Sequence, residues 1–223
     1  MSKRLISHHP NNESLAAYAA GGMDEARAVV IATHLTLCDE CAAAVRDFET
    51  VGGAVLEELE PIAMATGALA DFWSRAGASD IAIGAPSTRP ANDFDLTVAQ
   101  PLQRYLNTNI NDVTWRPVAP GLSQHVIQAE GYRPGVLRLL KIMPGTQIPK
   151  HTHKDDEYTL ILRGAYEDVI GEFGPGDFAD LSGEHTHAPR ATGDEPCICL
   201  IATAAPLEFK TAIGKVFQPF IGL

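Results

Sequence analysis

Residues 34–41 read HLTLCDEC, and their spacing indicates how the N-terminal part of the chain folds. The spacing is H-x3-C-x2-C. On a helix, residues four apart lie one above the other, so His34 and Cys38 share a face and Cys41 falls on the next turn. One imidazole and two thiolates then converge within two turns. A tetrahedral zinc ion requires ligands of this kind.

Three local ligands leave the fourth to be supplied from elsewhere in the chain. His8 and His9 lie on an N-terminal segment with no other evident role. We therefore expect zinc bound by His9, His34, Cys38 and Cys41, which would tie the chain end to the helix. The alternative is that the two cysteines are small buried apolar residues and that His34 lies on the surface.

Composition predicts a globular protein of one large or two small domains, since the 223 residues are 45% hydrophobic and 20% charged. The sequence has no apolar run of about 18 residues, so we expect no membrane span. Residues 1–4, MSKR, lack the apolar region of a signal peptide. Four cysteines in two close pairs favour metal or redox chemistry in a reducing cytoplasm over a disulfide framework.

The negative charge is concentrated in the N-terminal part. Residues 1–97 hold 6 Lys and Arg against 14 Asp and Glu, whereas the remaining residues hold 11 against 14, for a net charge of −11. An acidic surface repels nucleic acid and steers towards a basic protein partner. The alternative is that the acidic residues only keep a small helical domain soluble.

Apolar periodicity predicts helices over residues 13–20, 24–37, 39–60 and 66–75. So small a domain has a small core, and a metal ion is a reasonable means of stabilising it. Phe48, Phe72 and Trp73 are either core residues or anchors of a binding face, and the core is the preferred interpretation. Residues 76–97 are small, aperiodic and rich in Gly and Pro at their centre, which predicts a linker.

The sequence after the linker predicts a β domain. Short β-branched or apolar segments at residues 113–118, 135–142, 158–162, 197–202 and 207–209 are bounded by Gly, Pro or Asp. Many short strands with turn signals indicate a sandwich or barrel. The expected organisation is a helical domain over residues 1–75, a linker over 76–97 and a β domain over 98–223.

A second group of metal-type ligands lies in the β domain. Residues 145–164 read GTQIPKHTHKDDEYTLILRG, and His151 and His153 would point to one face of a strand. Glu157 follows across a turn, and His185 and His187 come some thirty residues later. The imidazoles of His151, His153 and one of the two later histidines, together with the Glu157 carboxylate, suit a divalent cation such as Zn, Fe, Mn, Ni or Cu.

The spacing G-x5-H-x-H-x3-E-x6-G, from residue 145 to residue 164, resembles the first cupin motif without a gap. The second motif, G-x5-P-x-G-x2-H, is met more loosely, because Ser182 and Glu184 replace its proline and second glycine. It places His187, rather than His185, at the ligand position. The resemblance implies a double-stranded β-barrel. Its implied metal ligands are His151, His153, Glu157 and His187.

The combination of both parts resembles the ChrR-type zinc anti-sigma factors, over nearly the whole chain except the linker. The residues that carry this resemblance are His9, the segments 15–21 (LAAYAAG), 33–41 (THLTLCDEC) and 197–200 (CICL), and the four cupin ligands. The expected fold is α + β with two domains, a zinc-stabilised helical bundle followed by a cupin β-barrel. The resemblance implies zinc in the first domain and a divalent metal, zinc by preference, in the second.

The resemblance also implies a function. The helical domain would bind an extracytoplasmic-function sigma factor and keep it from RNA polymerase. The cupin would respond to singlet oxygen or organic peroxides and trigger release. No catalytic residue is expected. Cys197 and Cys199 share one strand face, and core packing is preferred over redox sensing for them.

The main alternative is a cupin metalloenzyme, a dioxygenase or isomerase, with a helical oligomerisation or docking arm, because an open metal site permits catalysis. A zinc-finger-like nucleic-acid binder is disfavoured by the acidic N-terminal half.

Overall fold

The computed structural model describes residues 5–77, 100–106, 108, 110–128, 135–152, 156–181, 186–203 and 208–209. Its helices are α1 (Asn12–Ala19), α2 (Glu25–Leu35), α3 (Asp39–Glu57), α4 (Ala68–Gly77) and α5 (Gln100–Leu106). The four predicted N-terminal helices are confirmed, while α5 was not predicted. None of the helices in the described ranges has the length and apolar content needed to span a bilayer.

Side-chain caps begin the first two helices. The Asn11 side chain accepts a hydrogen bond from the amide of Ser14, and the Asp24 side chain accepts one from the amide of Arg27. Each cap satisfies an amide that has no partner inside the helix. The caps fix where α1 and α2 start, and therefore how residues 5–11 enter the helical part.

The single helical face proposed for residues 34–41 is wrong. The α2 helix ends at Leu35, and Cys38 is the N-cap of α3, with an extended backbone. His34 thus lies in the last turn of one helix and Cys41 in the first turn of the next. The side chains of His34, Cys38 and Cys41 do come together, but they do so at the corner between α2 and α3 and not along one helix.

The interpretation of Phe72 and Trp73 as core residues is wrong, because they are 53% and 63% exposed. Their rings pack edge to face on α4, with centroids 5.0 Å apart. Phe48 on α3 is partly buried and does pack against the core. Periodicity finds an apolar helix face but does not say what covers it.

The β region contains twelve strands in the described residues. They are β1 (Arg116–Ala119), β2 (Leu122–Ile127), β3 (Val136–Ile142), β4 (His151–Thr152), β5 (Glu157–Arg163), β6 (Ala165–Asp168), β7 (Gly171–Phe173), β8 (Phe178–Leu181), β9 (Thr186–His187), β10 (Arg190–Thr192), β11 (Cys197–Thr203) and β12 (Glu208–Phe209). The five predicted strands correspond to β1, β3, β5, β11 and β12.

These strands form three antiparallel sheets, in the orders β1-β2-β3-β11-β5-β8, β10-β6-β7 and β12-β4-β9. The long strands β3, β5 and β11 lie together in the largest sheet, with Cys199 on β11 opposite Leu140 and Ile161. Side chains of successive strand residues point to opposite faces, so this sheet has two apolar faces.

Each face of the large sheet packs in a separate core. One core lies between the sheet and the helices and contains Leu139, Leu160 and Leu200, together with Leu15 and Val30. The other lies on the opposite face, among the β strands. Helices α1, α2, α3 and α5 therefore share a continuous core with the β region, whereas α4 buries no residue. Residues 78–97 of the predicted linker are outside the described residues, and the division into domains at 75 and 98 stays a prediction.

Candidate functional site

The structure brings His9, His34, Cys38 and Cys41 into one cluster, with all their ligand atoms within 4.8 Å of one another. His9 Nδ1 lies 3.4 Å from Cys38 Sγ and 3.3 Å from Cys41 Sγ, and His34 Nε2 lies 3.3 Å from Cys41 Sγ. Ligand bonds to a tetrahedral zinc place neighbouring donors about 3.3–3.8 Å apart. The four side chains could therefore hold a metal ion.

Three separate elements supply these donors. His9 comes from the segment before α1, His34 from the end of α2, and the cysteines from the start of α3, where the amide of Cys41 donates to Cys38 Sγ at 3.5 Å. His34, Cys38 and Cys41 are buried. The cluster ties the N-terminal segment to the corner between two helices.

Burial acts in opposite directions on the imidazole and thiol donors of this cluster: it favours the ligand form of His34 and disfavours the thiolate of Cys41. Burial lowers the pKa of His34 to about 4, so its imidazole is neutral at pH 7 and has a free electron pair for a ligand bond. Burial and the adjacent Cys38 raise the pKa of the Cys41 thiol to about 12. A divalent cation would offset the repulsion between the Cys38 and Cys41 thiolates and would stabilise both in their deprotonated form. The donor set therefore fits zinc.

A second group of polar side chains lines a cavity between the sheets of the β region. Glu157 and His187 enter it beside Thr159, Tyr166 and Cys199, among apolar side chains. Burial raises the pKa of Glu157 to about 7, although the nearby His187 acts in the opposite direction. A buried carboxylate of this kind would exchange its proton for a divalent cation.

Strand pairing places the backbone of His151 beside His187, one of the residues that line this cavity. His151 on β4 is directly opposite His187 on β9. Only the backbone of His151 is described, and His153 and His185 lie outside the described residues. The predicted ligand set of His151, His153, Glu157 and His187 therefore stays a prediction, with two of its four side chains seen in one cavity.

The carboxylate that orients His187 was not predicted. Asp168 Oδ2 lies 2.6 Å from His187 Nδ1, so this nitrogen donates, and Nε2 is the ring nitrogen that could bind a metal ion. The hydrogen bond from His187 lowers the pKa of Asp168 despite the opposing effect of burial. Carboxylates in this position orient histidine ligands in many metal sites. Asp168 lies on β6, and no spacing rule in the sequence connects it to His187.

Cys197 and Cys199 are both buried on β11, as core packing requires. Cys199 also lines the cavity that holds Glu157 and His187. A hydrogen bond with Cys197, together with burial, raises the pKa of the Cys199 thiol.

The fold and these two sites define a class of protein. A small helical module with a His and Cys cluster is packed against a β region with a histidine- and carboxylate-lined cavity.

Comparison with known proteins then identifies the family. Residues 103–206 match the ChrR Cupin-like domain. The chain is 40% identical over 215 residues to the anti-sigma-E factor ChrR of Cereibacter sphaeroides, covering 96% of this chain and 98% of the relative. It also matches the crystal structure of Rhodobacter sphaeroides SigE in complex with the anti-sigma ChrR, with a TM-score of 0.74 and 37% identity, covering 89% and 100% of the two chains.

The chain belongs to the ChrR family of anti-sigma factors. The predicted resemblance and the helical-plus-cupin fold are confirmed. Membership of a family of regulators supports a regulator over the alternative of a cupin metalloenzyme.

Proposed function

We propose that this protein is an anti-sigma factor that sequesters an extracytoplasmic-function sigma factor in the cytoplasm and releases it in response to oxidants. The observation that carries the proposal is an uncovered apolar stripe on α3, in a chain whose solved relative is held in complex with SigE. The acidic character of the helical part suits a basic partner.

The stripe on α3 is covered at one end and open at the other. Cys41, Val45 and Phe48 pack in the core, whereas Val55, seven residues after Phe48 in the same stripe, is exposed. Residues at this spacing lie on one helix face. We use the name docking surface for the exposed apolar side chains between residues 51 and 73, which are Val51, Val55, Leu56, Leu59, Ile62, Met64, Leu69, Phe72 and Trp73.

Exposed apolar side chains in this number are unusual for a protein that acts alone. Aromatic residues such as Phe72 and Trp73 are the side chains that contribute most at protein interfaces. The acidic residues Asp47, Glu49 and Glu57 lie on the same helix as the stripe. We propose that the docking surface receives apolar helices of the sigma factor and that the acidic residues steer the approach.

The N-terminal cluster would hold zinc and would fix the docking surface. Zinc bound by His9, His34, Cys38 and Cys41 supplies folding free energy to a module whose own core is small. The cluster lies at the start of α3. The metal would therefore hold α3, which carries Val51, Val55 and Leu56 of the docking surface, in place against α1 and α2.

The cupin would be the sensor. His151, His153, Glu157 and His187 would hold a divalent metal, zinc by preference. Singlet oxygen or organic peroxides would alter this site or a group beside it, and the altered cupin would favour the state that releases the sigma factor. The burial of Glu157 and His187 in one cavity supports this assignment.

His151→Ala and Glu157→Ala should leave sigma-factor inhibition intact and should blunt release by oxidant. Both changes remove cupin ligands and leave the N-terminal cluster and the docking surface unaltered. The measurement is sigma-dependent transcription in vitro, with and without a peroxide or photosensitiser. Glu167→Gln, at an exposed carboxylate on β6, is the control. An unchanged response in both ligand variants would rule out the cupin metal site as the sensor.

Asp168→Asn should weaken metal binding in the cupin about 10- to 100-fold, because His187 loses the carboxylate that orients it. Zinc content of the cupin site after dialysis against a graded series of chelator concentrations measures this. The exposed Asp194→Asn is a suitable control on the β domain. Equal retention of metal by both variants would show that Asp168 does not support the site.

The proposed function as a whole is tested with the purified protein, core RNA polymerase and the sigma factor. The protein should inhibit sigma-dependent transcription at one equivalent per sigma factor and should not inhibit transcription by an unrelated sigma factor. Absence of inhibition by the zinc-loaded protein would contradict the proposal.

A further inference from the structure

The turn between β7 and β8, residues 174–177, contacts the N-terminal metal cluster from the cupin side. His34 Nδ1 donates a hydrogen bond to the carbonyl oxygen of Gly176 at 3.0 Å, in a fully buried position. This leaves His34 Nε2 directed at Cys41. Gly176 has a φ of 89°, a conformation that favours glycine. A cupin backbone group thus orients one of the four proposed zinc ligands.

The same turn holds the two residues that precede His9. Asp177 is fully buried, and its Oδ1 accepts hydrogen bonds from the amides of Ser7 at 2.7 Å and His8 at 3.1 Å. Its Oδ2 accepts one from the amide of Gly174 at 2.9 Å. The amide of Phe178 donates in turn to the carbonyl oxygen of His8 at 3.0 Å. A single buried carboxylate therefore clamps the segment that delivers His9.

Aromatic rings continue this contact into the cupin cavity. The His8 ring stacks on Phe173, with centroids 4.1 Å apart, and Phe173 stacks on Tyr166 at 4.9 Å. Tyr166 lines the cavity that holds Glu157 and His187. The buried Asp177 carboxylate and the stacked rings of His8, Phe173 and Tyr166 thus form a chain of contacts between the N-terminal cluster and the cupin cavity.

We propose that the β7–β8 turn supports the ligands of the N-terminal zinc cluster from outside, with Asp177 as the positioning residue. Through this turn, a change in the cupin would alter the affinity of the cluster for zinc. The inference rests on the proposed zinc site and adds the route by which the cupin acts on it. Groups around metal ligands set ligand orientation and metal affinity. A cupin change that shifts this turn would move His9 and His34 together, and coupling between two sites is reciprocal.

The test measures metal affinity in the full chain loaded with Co²⁺, whose thiolate charge-transfer absorption reports on the cysteine-containing cluster. Titration with a competing chelator compares the wild type with Asp177→Asn and Asp180→Asn. Asp180 is the matched control because it also joins the cupin to the helical part, but its hydrogen bonds to the described N-terminal residues are with Asn11 and Ser14, which follow His9. Asp177→Asn should weaken cobalt binding about 10- to 100-fold, and Asp180→Asn by less than about twofold.

Ser7→Pro provides a second variant that leaves the cupin sequence untouched. This substitution removes the amide and the hydroxyl of the exposed Ser7, both of which donate hydrogen bonds to Asp177. Like Asp177→Asn, it should weaken cobalt binding. Wild-type affinity in both variants would overturn the inference, as would equal losses in Asp177→Asn and Asp180→Asn. Failure of the wild type to give the thiolate band would instead contradict the proposed zinc site itself.

Discussion

Cys38→Ser is expected to remove zinc from the N-terminal cluster and to weaken sigma-factor binding by at least about 100-fold. Cys38 is buried, lies 3.4 Å from His9 Nδ1, and caps α3. Structural zinc sites contribute roughly 10 kcal/mol or more to the folding of small modules. A 100-fold loss of affinity corresponds to only about 2.7 kcal/mol.

The physical reason is that α3 carries both the cysteines and the uncovered stripe. Without the metal, the corner between α2 and α3 loses its cross-link, and the bound conformation of the docking surface becomes a minor state. Affinity falls in proportion to the population of that state.

Glu40→Gln is the matched control for Cys38→Ser. Glu40 is exposed and lies between the two cysteines, but it is not one of the four donors. This variant should keep one zinc in the cluster and wild-type sigma affinity. Zinc content by atomic emission and sigma affinity by calorimetry check both. A Cys38→Ser protein that binds the sigma factor as well as the wild type would refute the role of the cluster.

Val55→Asp should weaken sigma-factor binding at least about 30-fold while leaving zinc content unchanged. Val55 is 56% exposed, so the change costs the free protein little. In the complex it would place a charged group in an apolar contact, which costs several kcal/mol when the charge is unpaired. Truncation of a residue central to an interface typically costs about 2 kcal/mol or more, and about 2 kcal/mol is a 30-fold change in affinity.

Val169→Asp makes the same substitution at an exposed valine on the β6–β7 connection, away from the docking surface. It should bind the sigma factor within about twofold of the wild type. The dissociation constants of the two variants, measured side by side, separate a local contact from a general effect of added charge. Equal affinities for both would place the sigma factor on a different surface.

The spacing of residues in the sequence predicted which four side chains form the N-terminal cluster, but it did not predict the backbone that holds them. His34, Cys38 and Cys41 were found because they lie within eight consecutive residues, and His9 because a four-ligand site needed one more donor. The geometry was nevertheless wrong, since Cys38 caps a new helix instead of continuing α2. A ligand spacing is compatible with several backbones, and the turn at Thr36 and Leu37 has no Gly or Pro to mark it.

Contacts between distant parts of the chain could not be predicted. Asp168 and Asp177 each orient or clamp a metal-type site, and both come from strands or turns that no motif connects to those sites. The exposure of Phe72 and Trp73 was missed for a related reason. An apolar helix face is the same in sequence whether the chain itself or another protein covers it.

The most direct test of the account measures sigma-factor affinity of the full chain before zinc removal, after removal with a chelator under reducing conditions, and after zinc is returned. Affinity should fall at least about 100-fold without zinc, and it should recover when zinc is restored. The His151→Ala protein should behave in the same way, since its N-terminal cluster is intact. Full sigma affinity in the metal-free protein would contradict the claim that zinc in the N-terminal cluster holds the docking surface in place.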